Sequence, residues 1–456
     1  MAGQQDYHLV HNALFPDLSF SEGKATTFVI VCNSEGLDEA EQQLQYWLRY
    51  IASSCHKTTP KLRHVFVVLN NFKGAKKGQR YAQLWEGVLE KQRIQFNGFL
   101  TVHTESFLMD VRRRGKIIAL KKCLLEHSKS VLNDEKVPEI CQTIQGNLLA
   151  WSDGKKQFPV LEWKEYVQQV QRTISPWPEN LIEAATKYLN EAGVLIYIDK
   201  DFTQWGMPYQ RLVVLDANWF CKDIVGNIYR SEDMIEPGQP SILFRNSVDG
   251  ATGSISSLEF KEFYKNRWSD KEFEHLISIL LWLGLCYKGK DENIFIPSLI
   301  DTPIDTKGKP GDTWQSQGLY EDEEEQWVMG FSIEHKKSEM TLAPMSLWHR
   351  FQVVLAQTLK FNGEVPGNDF VAGKYFTAFK VDDMTVRIEV DATEKIPTFR
   401  EFSIFVKPLS RKKDKLDAHE RKQQQVDLAD YLVNILLGLW DDTCGGIEYV
   451  CKVVWR

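Results

Sequence analysis

The chain has 456 residues, of which 43% are hydrophobic and 26% charged, with a net charge of −7 and an isoelectric point near 5.9. That length allows roughly two to four domains, each able to bury its own core. The acidic balance argues against a general nucleic-acid or anionic-membrane binder.

Three short apolar strands are predicted first, at Thr27–Cys32, His64–Leu69 and Phe99–Val102, with amphipathic helices between them. Leu44, Trp47, Leu48 and Ile51 share one helix face; Tyr81, Leu84, Trp85, Val88 and Leu89 share another; a third helix covers about Ile117 to His127. Continuously apolar strands separated by helices imply a parallel sheet covered on both faces, and right-handed crossovers make it doubly wound.

Pro138 opens a helix over Glu139–Trp151 with Ile140, Ile144, Leu148 and Leu149 on one side. The connection Ser152–Pro159 leads to a helix at Leu161–Val170. Pro176-Trp177-Pro178 then breaks the chain before the helix Leu181–Ala192. Gly193 is the natural left-handed stop of that helix. The β-rich runs Val194–Ile198 and Leu212–Leu215 flank an insert carrying Gly206 and Pro208, which predicts an antiparallel hairpin with a loose tip. Asp216 caps the next helix, where Phe220, Ile224, Val225 and Ile228 recur at helical spacing.

A polar loop follows from Ser231 to Gly253. Ser257 is placed to cap a short helix holding Leu258, Phe260 and Phe263, and Ser269 with Glu272 has capping-box spacing for a helix running to Leu283. Gly284 stops it, and strands Leu285–Tyr287 and Asn293–Ile296 flank Gly289. The design helix, glycine, strand, turn, strand therefore occurs twice, and each copy resembles a winged-helix unit. Helix Lys271–Leu283 offers Lys271 and His275 against Glu272 and Glu274, too few cations for DNA, so protein docking is expected and nucleic-acid binding is not.

Asp301–Gln326, with the acidic run Glu321–Glu325, has the composition of a linker. The last third predicts a strand at Trp327–Ile333, then a Pro344-started helix with Leu347, Trp348, Phe351, Val354 and Leu355. A hairpin of Tyr375–Val381 and Met384–Val390 turns at Asp382-Asp383. A strand at Glu401–Val406, a helix from about Val426 to Trp440 and a strand at Ile447–Val454 complete it. In the hairpin Thr385, Arg387 and Glu389 alternate with Val386, Ile388 and Val390, the mark of a sheet with one covered face. The fold class is α/β followed by α+β. Trp348, Phe351 and Trp440 are expected in the core, and Trp455, near the chain end, outside it.

Eight cysteines (32, 55, 123, 141, 221, 286, 444, 451) form no CxxC pair and have no histidine cluster at metal spacing, so no metal is expected and buried free thiols are. The ten histidines accompany no nucleophile motif. An isolated one such as His349 is expected at the surface or core edge. The longest mainly apolar run, Ile277–Cys286, is too short for a membrane span, and the opening residues lack a signal-peptide pattern, so a cytoplasmic location is expected.

The opening Ala2-Gly3-Gln4, the Phe15-Pro16-Asp17 that follows and the Tyr46-Trp47-Leu48-Arg49-Tyr50-Ile51 helix together resemble the Roc domain of ROCO proteins. The Gly193–Tyr229 stretch and the Pro344-started helix resemble the COR region that follows Roc. The likeness spans the chain and is nearest to plant tornado-type leucine-rich-repeat ROCO proteins. It implies the C-terminal half of a Ras-like Roc domain at 1–135, beginning within the D-x-A-G-Q switch motif. It further implies a helical first COR subdomain with winged-helix-like units at 136–305, an acidic linker at 306–325, and an antiparallel-sheet second COR subdomain at 326–456. By the same likeness Gly3 would meet a γ-phosphate and Gln4 would orient the attacking water, with Asn70, Asn71 and Lys73 standing where guanine is read.

The sequence departs from that pattern. No G-x-x-x-x-G-K-[ST] occurs, and Lys73 replaces the guanine-reading aspartate with a group that only donates. The expectation is a non-enzymatic module for signalling, with no cofactor of its own, GTP or GDP and magnesium belonging to the family only. It would homodimerise through the second COR subdomain. The alternative is part of a working Roc GTPase whose phosphate-loop half is absent from this chain. Loss of the strand that carries the phosphate loop would leave Thr27–Cys32 as an apolar edge, making residues 1–130 alone poorly soluble.

Overall fold

The computed structural model describes residues 26–33, 36–54, 63–70, 78–110, 114–132, 137–155, 157–173, 176–200, 210–229, 248–250, 252–264, 268–289, 293–300, 329–336, 339, 341–359, 370–381, 384–393, 398–408, 418–444 and 447–455. Helix and sheet are mixed throughout: one small parallel sheet is followed by antiparallel sheets.

Strands β1 (Thr26–Asn33), β2 (Arg63–Asn70) and β3 (Thr101–Met109) pair in parallel in the order β1-β2-β3. Helices α1 (Leu37–Ser53) and α2 (Gly78–Gln95) cross between them, and α3 (Arg114–Leu132) follows. Alternation on the strands turns Ile30, Cys32, Val65, Val67 and Leu69 toward Leu44, Leu48, Ile51, Trp85 and Leu89 of α1 and α2. The second face is covered only in part. His127 of α3 meets Phe66 of β2, while Val29 and Val31 of β1 are 40% and 49% exposed, so β1 lacks the two-sided cover expected of it. Leu84, expected on the buried face of α2, is exposed, because Trp85 and Leu89 set the direction of that face.

Two copies of one design follow. In the first, α4 (Glu139–Asp153), β4 (Val160–Glu162), α5 (Trp163–Thr173), α6 (Glu179–Glu191), β5 (Ile196–Lys200) and β6 (Gln210–Val214) form a sheet of order β4-β6-β5. Residues 160–162 are thus a strand, where a helix start was expected, because Leu161 pairs with Val213. Leu149 of α4 is exposed, contrary to the expected face. Helix α7 runs through Ala217–Trp219, Phe220–Val225 and Gly226–Ile228. Asp216 caps it by accepting from the Asn218 and Trp219 amides, and its middle is π-helical.

The second copy comprises β7 (Ser254–Ser256), α8 (Ser257–Phe263), α9 (Asp270–Trp282), β8 (Tyr287–Lys288) and β9 (Asn293–Phe295), in the order β7-β9-β8. Its outer strand again pairs with the last. The cap of α8 is Ser256, one residue before the serine expected, with Glu259 closing the capping box; Ser269 and Glu272 form a second box at α9. Both hairpins are entered the same way. Gly193 and Gly284 both take φ +68, while Val194 and Leu285 donate back to Leu189 and Leu280 at 2.9 Å in each case.

The last sheet has seven strands: β10 (Met329–His335), β11 (Ala343–Pro344), β12 (Phe370–Ala372), β13 (Phe376–Val381), β14 (Met384–Thr393), β15 (Thr398–Pro408) and β16 (Tyr449–Trp455). Its main path is β12-β13-β14-β15-β10-β16, with β11 on β15. Helices α10 (Met345–Thr358) and α11 (Ala418–Cys444) cover one face. Trp348, Phe351 and Trp440 lie there at 0% exposure against Phe402, Ile404 and Val386. The Trp348 indole donates to the Lys374 carbonyl at 2.9 Å, so its polar edge is satisfied inside the core. His349 is buried with them, not at the edge, and burial drives its pKa down to about 3. Cys32, Cys141 and Cys286 are buried as expected, but Cys221 and Cys451 are exposed.

Candidate functional site

In an open parallel sheet a ligand is taken at the carboxyl ends of the strands. Here those ends are Asn33, Asn70 and Met109, which lie side by side in register. Asn70 is buried at this edge. Of the other expected contacts, Gly3, Gln4, Asn71 and Lys73 lie outside the described residues, as do the acidic segment 306–325 and the Asp382-Asp383 turn. A phosphate nest requires consecutive backbone N–H groups turned inward, with left-handed residues to turn them. Among the described residues the positive-φ glycines are Gly98, Gly193, Gly253 and Gly284, and none stands at this edge. The sequence holds no G-x-x-x-x-G-K-[ST] to supply a phosphate-loop lysine and hydroxyl.

A second junction is built more fully. Helix α1, which leaves that same edge of the sheet, presents Tyr46 and Tyr50 to Leu342, just ahead of β11, and all three are buried. Arg49 donates twice to the Thr341 carbonyl, from Nε at 3.1 Å and Nη2 at 2.9 Å. The Leu342 amide donates to Ser53 Oγ at 2.7 Å, and that hydroxyl donates to the Arg49 carbonyl at 2.7 Å. Gln95, at the end of α2, donates to the Glu339 carbonyl. His335 Nε2 stands 2.6 Å from Thr341 Oγ1; burial, with Arg49 beside it, lowers its pKa to about 4. The first and last sheets thereby hold each other directly, although 292 residues separate Arg49 from Thr341.

The two copies of the middle design also pack on one another. Phe158, Val160, Ile198 and Leu212 of the first share a core with Phe260, Phe273, Leu276 and Ile294 of the second. Lys271 and His275 of α9 reach Glu162 of β4 at 2.7 and 3.3 Å, and the lysine bond holds that carboxyl below its usual pKa. Helix α9 has buried residues at every position from Leu276 to Leu281, so that stretch is packed all round, while Asp270, Lys271 and Glu274 in its first turns are exposed. Within the first copy, Arg211 of β6 lies over the Trp163 ring at 4.2 Å and pairs with Glu183 at 2.9 Å and Asp199 at 3.3 Å.

The other face of the last sheet is mixed: Phe376 and Ala378, which pair with Glu389 and Arg387, are buried there with Val371 against them. Thr385, Arg387 and Glu389 point away from the core as their alternation predicted, and Lys452 meets Glu334 at 2.7 Å across β16 and β10. Strand β16 is the end of the sheet path, with Val453 54% exposed. The side chain of Trp455 lies outside the described residues.

No family model matches the sequence. The chain is 21% identical over 424 residues to Protein TORNADO 1 of Arabidopsis thaliana. The alignment covers 86% of this chain and 29% of that protein. The chain thus spans less than a third of the relative's length, and the similarity is distant. No helix among the described residues is long and apolar enough to cross a membrane.

Sequence reasoning did not find three histidines that the fold gathers from separate elements: His64 of β2, His103 of β3 and His127 of α3. One ring nitrogen of each lies within 4.8 Å of the others. Their separation along the chain hides them from any search for local ligand spacing. A trace was present all the same: His64 is the first residue of the strand expected at His64–Leu69, and His103 directly follows the one expected at Phe99–Val102.

Proposed function

We propose that the chain is the Roc–COR interaction module of a ROCO-type protein in intracellular signalling. Residues 1–135 are the C-terminal half of a Ras-like layer, 136–305 a first COR subdomain of two winged-helix-like units, and 326–456 a self-associating second COR subdomain. The observation that carries this is the Arg49–Thr341 junction. A helix leaving the carboxyl edge of the parallel sheet, where a nucleotide state would be sensed, is locked onto the segment that leads into α10 and the last sheet. Movement at that edge would therefore be felt at the sheet. The length over which the chain aligns with TORNADO 1 supports the same order of parts. The row Thr385, Arg387 and Glu389 on the last sheet, with Lys452 at its β16 edge, suits a second copy of the chain, since an edge strand offers backbone groups for pairing.

By this reading the chain does no GTP chemistry itself: the sequence holds no G-x-x-x-x-G-K-[ST], and Lys73 stands where the guanine-reading aspartate would be. Two measurements test the proposal. Light scattering should give the mass of a dimer, and a strictly monomeric mass at roughly tens of micromolar would contradict it. Addition of GTP with magnesium should release no phosphate and leave the thermal midpoint unchanged; clear stabilisation by the nucleotide would overturn the non-enzymatic half of the reading.

A further inference from the structure

We propose that His64, His103 and His127 form a binding site for a divalent transition-metal ion of the zinc type, on the side of the parallel sheet away from α1 and α2. Three arrangements bring the rings together. Alternation along β2 puts His64 on the same face as Phe66, opposite the face that Val65 and Val67 give to the core. On β3 the register breaks: Val65 stands opposite Val102, yet Val67 stands opposite Ser106, so β3 carries extra residues at 103–105. Such a bulge re-aims a side chain. It lays the His103 ring flat on Phe66, with centroids 3.9 Å apart and planes 11° apart. Helix α3 then brings His127 edge-on to both, 4.5 Å from the His64 ring and 4.5 Å from the His103 ring.

The bulge is itself held. Arg93 of α2 donates to the His103 carbonyl from Nε and Nη2, at 3.3 and 3.1 Å, and to the Thr104 carbonyl at 2.9 Å. Its charge is balanced by Glu90 at 2.9 Å and Glu86 at 4.0 Å, so the clamp brings no unbalanced cation to the site.

The chemistry favours a metal over a plain aromatic cluster. His64 Nδ1 and His127 Nε2 are shielded from solvent and take no hydrogen bond from the protein among the described residues. Tetrahedral zinc bound at about 2.0–2.1 Å sets its nitrogens about 3.4 Å apart. From a spread within 4.8 Å, small side-chain rotations close that gap. All three side chains are half-buried, and a water would complete the tetrahedron.

The test uses the full chain, freed of metal by chelation and titrated calorimetrically with ZnCl2, and in parallel with CoCl2 under visible absorption. The expected result is saturable uptake of one equivalent. Cobalt should give the d–d bands of a four-coordinate ion without a thiolate charge-transfer band, which separates this site from the exposed thiols Cys221 and Cys451. His127→Ala, on a helix and outside the sheet, should keep the circular dichroism of the parent and weaken zinc roughly tenfold or more, as should His103→Ala. The proposal is overturned by a parent chain that takes up no stoichiometric zinc, by affinity unchanged in a folded His127→Ala variant, or by a thiolate-type cobalt spectrum.

Discussion

Arg49→Ala removes both guanidinium bonds to the Thr341 carbonyl while leaving the Tyr46, Tyr50 and Leu342 cluster in place. Hydrogen bonds from a charged group contribute about 1.5–3 kcal/mol, and a carbonyl left unsatisfied in a partly buried site adds to the loss. Burial already lowers the pKa of Arg49, so its charge is partly desolvated and the higher half of that range is expected. The junction should open locally before the chain unfolds as a whole. Hydrogen exchange is the assay: the Leu342 amide, which donates to Ser53 Oγ, should lose protection by about 2–3 kcal/mol, whereas amides of β13 and β14 should not change. Arg49→Lys retains the charge but not the two-pronged geometry and should recover only part of the effect. A Leu342 amide in Arg49→Ala protected to within about 0.5 kcal/mol of the parent would refute the claim that this contact joins the two sheets.

Arg211→Ala strips the Glu183 and Asp199 carboxylates of their shared cation and uncovers Trp163, and should destabilise the first middle unit by about 3 kcal/mol in urea unfolding followed by tryptophan fluorescence. Gly193→Ala and Gly284→Ala both place a Cβ at φ +68 and should each lose about 1–2 kcal/mol. Gly284→Ala should lose more, because its Cβ would stand 2.6 Å from Arg350 Cγ whereas the space at Gly193 is open; equal losses would contradict that difference. The depressed pKa values of His335 and His349, about 4 and about 3 against an ordinary 6.5, give acid sensitivity. Both rings stay neutral when folded but protonate near pH 6.5 when unfolded, so their contribution is complete above 6.5 and falls as pH drops toward 4 and then 3. Thermal midpoints that are flat from pH 7 to about 4 would contradict this.

The sequence was most legible where one residue type has one physical use. Gly193 and Gly284 ended their helices in the left-handed region because a Cβ there is strained. Ser269 and Glu272 closed their capping box, and the alternation around Arg387 sorted the two faces of β14. Three-residue strands were not legible. Val160–Glu162 and Ser254–Ser256 are too short to show a period and exist only because β6 and β9 offer partners. Leu84 and Leu149 look like core residues by spacing, yet a neighbouring tryptophan in each helix, Trp85 or Trp151, takes the buried position. Contacts across the fold were also out of reach: neither the Arg49 junction nor the three histidines leave a local pattern. The expected nucleotide edge was read as a set of residues, and of that set Asn70 lies among those described.

The central claim is that the last sheet is where one copy of the chain meets another. Cross-linking a mixture of isotopically light and heavy chains tests it directly, because mixed-isotope products come only from contacts between copies. The expected products join lysines of the last sheet, Lys380, Lys407 and Lys452, to one another across copies. Mixed products confined to the parallel-sheet layer, or none at all, would contradict it.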